Sequence, residues 1–447
     1  MTRITRRLIA AIFILGFFCI GPLAIIYARG LRWQSSGAVL KPTGTLIVSS
    51  NPSRAQIVLN KQPMAYRTPS TITSLPAQRY AVELILSGYH IWKKNIFINN
   101  NEAVFLSKVR LIRNSLPILM SEKNGIPNEH RSARISFLTN KRASETFGLS
   151  LLFTDEQKIV PLEDINLSIQ NPLFAWSDTR RWAAAADKEV IYIIDTQIGS
   201  VKKVNFNKQI MKLAWDNNSN NAIVFAADQN YYRVSNNSFN RLDVPPADRT
   251  EEIIDFWLSG SNWLEIRQLK QGGNSRLVIR DKNGSLLFKI NLPANDKYEY
   301  LGGWENIIVL TTPAKTLYVF RYDSGSLINL LTEAKINNAY IDVNEGTLTY
   351  TTDFELWTYH PATNAHDLLT RINTQLDKVS LLNDGTHVIY TTNNEVWAIE
   401  RDVRDMRNRW LLATFEKINN LFVSPDATSI YISGTIGTRA GLFNIAL

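Results

Sequence analysis

The chain has one cysteine, Cys19, among its 447 residues, so an intrachain disulfide is excluded. A chain of this length can bury a sizeable core, and its domains must be held together by packing. Histidine is also scarce: the five histidines form no His-Glu-x-x-His pattern, and none is paired with the cysteine. The sequence therefore offers no recognisable metal site, and we expect no cofactor.

Acidic residues are nearly missing from the first 113 residues, which hold fifteen Lys or Arg against only Glu83 and Glu102. The rest of the chain holds 34 basic and 38 acidic side chains. The excess of basic residues that gives the chain its net charge of +9 therefore lies in the first quarter of the sequence.

Charge of either sign is missing from residues 8–27. A helix of that length spans about 30 Å, the thickness of a bilayer core. The alternative is a cleaved signal peptide, whose apolar region runs about 7–15 residues. The longer run and the directly following Arg29 and Arg32 favour an uncleaved single-pass anchor in the cell membrane. The short tail at residues 1–7 favours a cytoplasmic N-terminus, with the bulk of the chain extracytoplasmic.

A small β-domain is predicted after a linker at residues 28–42. Alternating, β-branched runs bounded by turn residues predict strands at residues 45–49, 56–59, 80–86, 95–98 and 104–111. Five short strands of this kind fit one small antiparallel sandwich.

Short signals recur in order along residues 43–112, and together they resemble the PEGA domain. The Pro and Ala of its Pro-Glu-Gly-Ala turn are retained, with Ser53-Arg54 in place of the middle pair. We assign a structural role to the matching residues, which are Pro52, Ala55, Thr68, Pro69, Gly88, Tyr89 and Trp92. The resemblance implies an extracytoplasmic role in a prokaryotic cell envelope, and it carries over no catalytic residue.

The basic surplus lies mainly in this module, with ten Lys or Arg against two Glu over residues 41–113. One interpretation is a contact surface for anionic lipid or an acidic cell-wall polymer. Its candidate residues are Arg54, Arg67, Arg79, Lys93 and Lys94. The other interpretation is a solvated surface whose charges keep sheet edges from pairing. Nucleic acid is not an expected partner, because there is no arginine-rich helix.

The long remainder, residues 134–447, repeats one unit with a period near 40 residues, after a second linker at 113–133. The second strands of successive units begin near Ala183, Ala222, Ser261, Asn306, Thr347, His387 and Ser429. Four short strands at that period predict a β-propeller, so the fold class is all-β apart from the N-terminal helix. If the two ends of the repeat complete one blade, there are seven blades. If they form separate blades there are eight, which the strand count favours.

The turns between first and second strands carry residues suited to closing them, namely Asp178, Asp216, Asp384, Gly385, Pro425 and Asp426. Aspartate bonds to its own backbone in turns, and glycine supplies a positive φ, so we expect structural roles. Residues 382–386 and 422–426 resemble the strand-loop signature of TolB-like propellers. Four tryptophans on or beside strands are expected to pack between blades: Trp176, Trp215, Trp357 and Trp397.

These features predict a membrane-anchored extracytoplasmic protein whose propeller is a binding or assembly platform. The expected partners are the membrane, a wall polymer or another envelope protein. No Gly-x-Ser-x-Gly elbow occurs, and we do not expect an enzyme. Two alternatives stay open: an envelope-polymer lyase or hydrolase using the propeller funnel, and an architectural spacer.

Overall fold

The computed structural model describes residues 3–28, 31–34, 37–122, 135–141, 146–168, 172–216, 219–235, 238–242, 250–259, 262–271, 273–281, 283–293, 296–323 and 326–447. The chain forms two compact units. Unit 1 is Met1–Ser115 together with Asp402–Trp410, and unit 2 is Leu116–Arg401 together with Leu411–Leu447.

The uncharged run lies in helix α1, Arg3–Ala28, which has Pro22 inside it. Over the residues that the structure describes, we find no helix long and apolar enough to cross a membrane.

Unit 1 continues with two sheets. Its strands are β1 (Leu31–Gln34), β2 (Gly37–Asn51), β3 (Gln56–Leu59), β4 (Gln62–Arg67), β5 (Ser70–Pro76), β6 (Arg79–Ile85), β7 (Trp92–Phe97) and β8 (Ala103–Arg110). One sheet has the order β1-β2-β5 with β8 paired to β2, and the other has the order β4-β3-β6-β7.

Two features of unit 1 differ from the sequence-based expectation. Strands β2 and β8 pair in parallel rather than antiparallel, because the intervening chain passes through the other sheet before it returns. Residues 28–42 are not a plain linker, since residues 31–34 pair with residues 37–42 as a hairpin.

Alternation along β6 and β7 sets which side chains of unit 1 are buried. Tyr80, Val82 and Leu84 of β6 are buried, and so are Trp92 and Ile96 of β7. Successive residues of a strand point to opposite faces. The residue between Trp92 and Ile96 on the same face is Lys94, and it is buried too, with 2% of its surface exposed.

The strands of unit 2 form eight sheets among the described residues. The strand before the first sheet is β9 (Ile118–Ser121). The first sheet holds β10 (Ile135–Lys141), β11 (Phe147–Phe153) and β12 (Lys158–Leu167). The second holds β13 (Leu173–Trp176), β14 (Trp182–Asp187), β15 (Val190–Asp195) and β16 (Ser200–Asn205). The third holds β17 (Ile210–Asp216), β18 (Asn221–Ala226), β19 (Tyr231–Ser235) and β20 (Ser238–Arg241).

The next four sheets repeat the same four-stranded antiparallel pattern. The fourth holds β21 (Glu251–Ser259), β22 (Asn262–Leu269), β23 (Arg276–Arg280) and β24 (Leu286–Asn291). The fifth holds β25 (Glu299–Trp304), β26 (Ile307–Thr311), β27 (Leu317–Asp323) and β28 (Ser326–Glu333). The sixth holds β29 (Asn338–Asp342), β30 (Thr347–Thr351), β31 (Glu355–His360) and β32 (Ala365–Arg371). The seventh holds β33 (Val379–Leu381), β34 (His387–Thr391), β35 (Glu395–Glu400) and β36 (Arg409–Thr414).

The eighth sheet takes a strand from the start of unit 2. Its order is β37 (Lys417–Val423), β38 (Ser429–Ile436), β39 (Arg439–Ala446) and then β9. The expectation that residues 113–133 are a linker is therefore wrong for β9, whose residues pair with β39. The backbones approach closely because Gly441 has no side chain: a Cβ there would lie 2.0 Å from the Ser121 carbonyl oxygen.

Apolar side chains join each sheet to its neighbours in unit 2. In β14, Ala183 and Ala185 pack toward the first sheet, whereas Ala184 and Ala186 pack toward the third. The first and eighth sheets also share a cluster that includes Leu152 and Tyr431, and the Tyr431 hydroxyl donates to the Thr154 carbonyl at 2.8 Å. The first and last sheets of the series therefore pack against each other.

Candidate binding cleft

One of the five basic residues that were predicted to form a contact surface on unit 1 is buried. Arg54, Arg67, Arg79 and Lys93 are exposed, but Lys94 is buried. The Lys94 Nζ donates to the carbonyl oxygens of Asp402 and Met406, at 3.2 and 3.0 Å. The prediction that Lys94 contacts an anionic surface is wrong, because its ammonium group is enclosed by residues 402–406.

The neighbouring Lys93 is exposed, but it has a carboxylate partner. Its Nζ lies 3.2 Å from Glu83 Oε1, and the Glu83 side chain is 26% exposed. Backbone groups of the same strand are covered as well: the Lys93 carbonyl accepts from Asn408 Nδ2 at 2.9 Å, and Asp405 Oδ2 accepts from the Asn95 N–H at 2.7 Å. Segment Asp402–Trp410 therefore covers part of the free edge of β7.

Four of the motif residues in unit 1 meet at one turn. The Ala55 N–H donates to Thr68 Oγ1, and the Thr68 N–H donates to the Ala55 carbonyl, both at 2.9 Å. Pro52 and Pro69 each follow a cis peptide bond. Ala55 and Thr68 are buried, so their exchange of hydrogen bonds satisfies polar groups that water does not reach.

The other three motif residues lie around the turn between β6 and β7. Gly88 has a φ of 80°, which favours glycine, and the Tyr89 N–H donates to the Leu86 carbonyl at 3.1 Å. Trp92 is 2% exposed in the core of unit 1. All seven residues therefore lie at turns or in the core.

The turn residues of unit 2 divide into two groups. Asp384 and Asp426 each accept a hydrogen bond from the backbone N–H two residues later, both at 3.0 Å. Gly385 has a φ of 66°, and the Pro425 carbonyl accepts from Asn383 Nδ2. Burial raises the pKa of Asp426, but hydrogen bonds led by the one from the Ser424 hydroxyl outweigh it, and the net pKa is lowered.

The remaining two turn aspartates are placed differently. Asp178 is exposed, and in its turn the Ser177 hydroxyl accepts from the Trp182 N–H at 3.0 Å. Asp216 accepts from the Ser219 hydroxyl at 2.5 Å and lies 3.6 Å from Arg233. Asp216 is thus next to a cleft that the sequence did not predict.

The cleft lies where the second and third sheets of unit 2 meet, and its volume is about 400 Å³. Small-molecule sites are generally clefts of roughly 300–1,000 Å³. Its lining combines indole, amide, hydroxyl and aliphatic side chains, namely Trp182, Ile193, Trp215, Asn220, Asn221, Val234, Ser235 and Ser238.

The lining residues of the cleft change from apolar side chains that are buried to polar side chains that are exposed. Ile193, Trp215 and Val234 are at most 6% exposed. Asn220 and Ser238 are exposed, whereas Trp182 is half-buried. An apolar floor beneath a polar mouth suits a ligand with one apolar face and several hydroxyl or amide groups.

The polar groups at the mouth belong to two turns. Asn221 Nδ2 donates to the Ser219 carbonyl at 2.8 Å, and Asn220 has a φ of 54°, a conformation that asparagine tolerates. The Ser235 and Ser238 hydroxyls lie 3.1 Å apart. Each hydroxyl has one donor and two acceptor positions, so both retain capacity for a ligand after bonding each other.

Two of the charged residues next to the lining residues are paired with opposite charges. Arg181 lies 3.5 Å from Asp195, and its guanidinium stands 5.6 Å from the centre of the Trp182 ring. Asp216 and Arg233 form the second pair. These two arginines are thus matched by two aspartates, and none of the eight described lining residues is itself charged.

The indole nitrogen of Trp215, like that of Trp176, is one of several buried polar atoms without a partner among the described residues. A buried donor without a hydrogen-bond partner costs about 1–3 kcal/mol of stability. If this side chain served packing alone, a smaller apolar ring would fill the position without that cost. Such groups are informative because buried donors nearly always have partners.

The structure describes no group of three or more His, Cys, Asp or Glu side chains placed to hold a metal ion within the ranges given above. The chemistry of the described cleft lining is hydrogen bonding and apolar contact.

The sequence predicted Trp215 as a packing residue and did not single out Trp182. One signal was present: asparagine and serine are concentrated in residues 215–221 and 235–240. The first stretch runs from the end of β17 to the start of β18, and the second runs from the end of β19 into β20, in the same sheet. Two tryptophans of the fourth sheet, Trp257 and Trp263, are buried, and Trp257 stacks on Tyr300 with 3.9 Å between the ring centres.

Comparisons with known proteins identify one domain and one fold. Residues 43–111 match the PEGA domain family, so the chain contains a PEGA domain. Among solved structures, the chain is similar to the Dos1 propeller, with a TM-score of 0.50 and 13% identity over 74% of this chain and 94% of that one. It is also similar to the Cps50 (Swd1) β-propeller domain of Myceliophteria thermophila, with a TM-score of 0.44 and 11% identity over 67% and 98% of the two chains. No curated protein matches the chain. At 13% identity, the likeness to the Dos1 propeller shows the β-propeller fold alone.

Proposed function

We propose that this chain is a membrane-anchored, extracytoplasmic binding protein of the cell envelope. Its PEGA domain follows the anchor, and the eight sheets of unit 2 are the blades of one propeller. The cleft between the second and third sheets is the binding site. The single observation that carries the proposal is that this cleft combines two indoles with amide and hydroxyl groups at its mouth.

The anchor is proposed from helix α1. Its central residues are apolar and more than half exposed, including Phe13 at 76% and Phe17 at 72%. Contiguous apolar surface of this kind is generally covered by a partner or by lipid. The uncharged run at residues 8–27 has the length of a bilayer core, which favours lipid.

A binding role is favoured over the enzymatic alternative by the chemistry of the lining. A lyase or hydrolase of envelope polymers needs an acid or a base beside the reacting bond. The described side chains that line the cleft offer indole, amide, hydroxyl and aliphatic groups instead. These groups hold and orient a ligand.

The topology is tested by protease treatment of intact and lysed cells that carry the chain with a C-terminal tag. We expect the tag to be lost from intact cells, with α1 retained in the membrane fraction. Survival of the tag until lysis would contradict the extracytoplasmic placement.

The binding role is tested by co-sedimentation of the purified full chain, in detergent, with insoluble envelope material from the same cells. Wild type is expected to sediment, and Asn220→Gly to sediment less. Glycine accepts the φ of 54° at this position, so the backbone is kept and only the amide is lost. The matched control is Asn207→Gly, because Asn207 is exposed and has a φ of 58° outside the cleft. Equal sedimentation of both variants and wild type would contradict the assignment of the cleft.

A further inference from the structure

We propose that the cleft between the second and third sheets takes an uncharged carbohydrate, such as a segment of a neutral envelope glycan. The inference rests on the proposed binding function and names the ligand class of that site. The geometry that points to it is a half-buried indole, an apolar floor and a mouth of amides and hydroxyls in one cleft.

The indole of Trp182 supplies the first part of the argument. A pyranose ring has an apolar C–H face, and aromatic rings bind such faces with a large contact area and little loss of side-chain freedom. The Trp182 ring is half-buried, and one charged group, Arg181, stands 5.6 Å from its centre. The ring also packs against the apolar cluster between the two sheets, which holds its orientation.

The mouth supplies the second part. The rim of a sugar ring carries hydroxyls that both donate and accept, so a matching site needs groups that do both. Asn220 and Asn221 offer amides, and Ser235 and Ser238 offer hydroxyls. Their two turns flank the cleft within one sheet, and the Ser235 and Ser238 hydroxyls are already positioned 3.1 Å apart.

The charge around the cleft supplies the third part. Arg181 is paired with Asp195, and Arg233 with Asp216. An anionic polymer would need unpaired cations, and a cationic ligand would need free carboxylates. Neither is offered by the described lining, so an uncharged ligand is favoured.

The size of the cleft agrees with a short segment rather than a folded partner. A volume of about 400 Å³ lies at the lower end of the range for small-molecule sites, roughly 300–1,000 Å³. A polymer that extends beyond the cleft would leave most of its length in solvent, which is compatible with an envelope glycan.

The test is isothermal titration calorimetry of the full chain in detergent against three neutral probes: an α-linked hexose oligomer, a β-linked hexose oligomer and an N-acetylhexosamine oligomer. We expect at least one to bind, with an affinity that changes less than twofold between about 50 and 500 mM salt, since no charges are paired on binding. Trp182→Ala and Asn220→Gly are each expected to weaken that binding by about 3- to 10-fold, the loss of one aromatic contact or one hydrogen bond. Asn207→Gly is the control and should bind as wild type does.

Three outcomes would overturn the inference. One is no binding of any neutral probe. Another is neutral binding that Trp182→Ala and Asn220→Gly leave unchanged while both remain folded by circular dichroism. The third is binding of a peptide or an anionic polymer, titrated in the same way as further probes, in place of every neutral probe. If that peptide binding is weakened by Asn220→Gly, the cleft remains the binding site and only the ligand class is wrong.

Discussion

A buried ionic network between the third and fourth sheets allows a sharp prediction about stability. Glu265 of β22 has no exposed surface. It accepts hydrogen bonds from the Tyr231 hydroxyl at 2.9 Å and from Arg267 Nε at 2.7 Å, and Arg280 Nε lies at 3.5 Å. Arg267 and Arg280 are 4% and 7% exposed, so two buried cations lie against this carboxylate, and Arg267 Nη1 is also 3.8 Å from Glu251 Oε2.

The perturbation is Glu265→Gln, which keeps the shape of the side chain and removes its charge. The new amide keeps one acceptor oxygen and replaces the other with a donor, and it carries no charge to balance the two buried guanidiniums. Removal of one partner from a buried ion pair costs about 3–5 kcal/mol, because the other charge stays buried and uncompensated. We expect a loss of that size in the free energy of unfolding. Tyr231→Phe removes one neutral donor and should cost less, about 0.5–1.5 kcal/mol.

The assay is guanidinium unfolding of the full chain followed by tryptophan fluorescence, with Glu355→Gln as the matched control. Glu355 pairs with Arg371 at 2.5 Å, but the two side chains are 25% and 68% exposed. An exposed pair contributes about 0–1 kcal/mol. Equal losses in Glu265→Gln and Glu355→Gln, or a loss below about 1 kcal/mol in the former, would refute this account of the buried network.

Three further predictions follow from other contacts. Lys94→Met removes the hydrogen bonds from the buried ammonium to the Asp402 and Met406 carbonyls, so amide exchange in Asp402–Trp410 should quicken by about 10- to 100-fold, whereas Lys93→Met should leave it unchanged. Gly441→Ala places a Cβ 2.0 Å from the Ser121 carbonyl oxygen, so the amides of β9 should lose their protection from hydrogen exchange. The free energy of unfolding should fall by about 1–3 kcal/mol. Full protection of β9 in this variant would contradict its pairing with β39. Burial raises the pKa of Glu251, but hydrogen bonds from Lys289 and Arg276 outweigh it and hold the pKa below 4.5. Its stabilising contribution is therefore present above pH 4.5 and lost as pH falls through the folded pKa, so the stability difference between wild type and Glu251→Gln should shrink from pH 7 to pH 3.

The repeat was predictable because each unit carries its own apolar runs and turn residues. The predicted second strands begin at Ala183, Thr347 and His387, and the observed strands β14, β30 and β34 begin at Trp182, Thr347 and His387. Local patterns of this kind are enough to position strands within a unit.

Strand β9 was not predictable in the same way. Three of its four residues pair with β39 near the other end of the chain, and no local pattern reports a partner so distant in sequence. The cleft could not be predicted for the same reason. Trp182 and Trp215 belong to different sheets, and only the packing of those sheets brings them together.

The burial of Lys94 had a signal in the sequence that the charge argument overlooked. Trp92 was expected to have a structural role, and alternation along a strand places residue 94 on the same face as residue 92. A count of basic residues treats Lys93 and Lys94 alike, whereas the strand separates them onto opposite faces.

The binding proposal is tested most directly by hydrogen–deuterium exchange of the full chain with and without envelope material from its own cells. We predict slower exchange at residues 219–221, 235 and 238, which flank the cleft, and unchanged exchange in β7. Protection confined to β7 or to other sheets, with residues 219–221, 235 and 238 unchanged, would contradict the proposal.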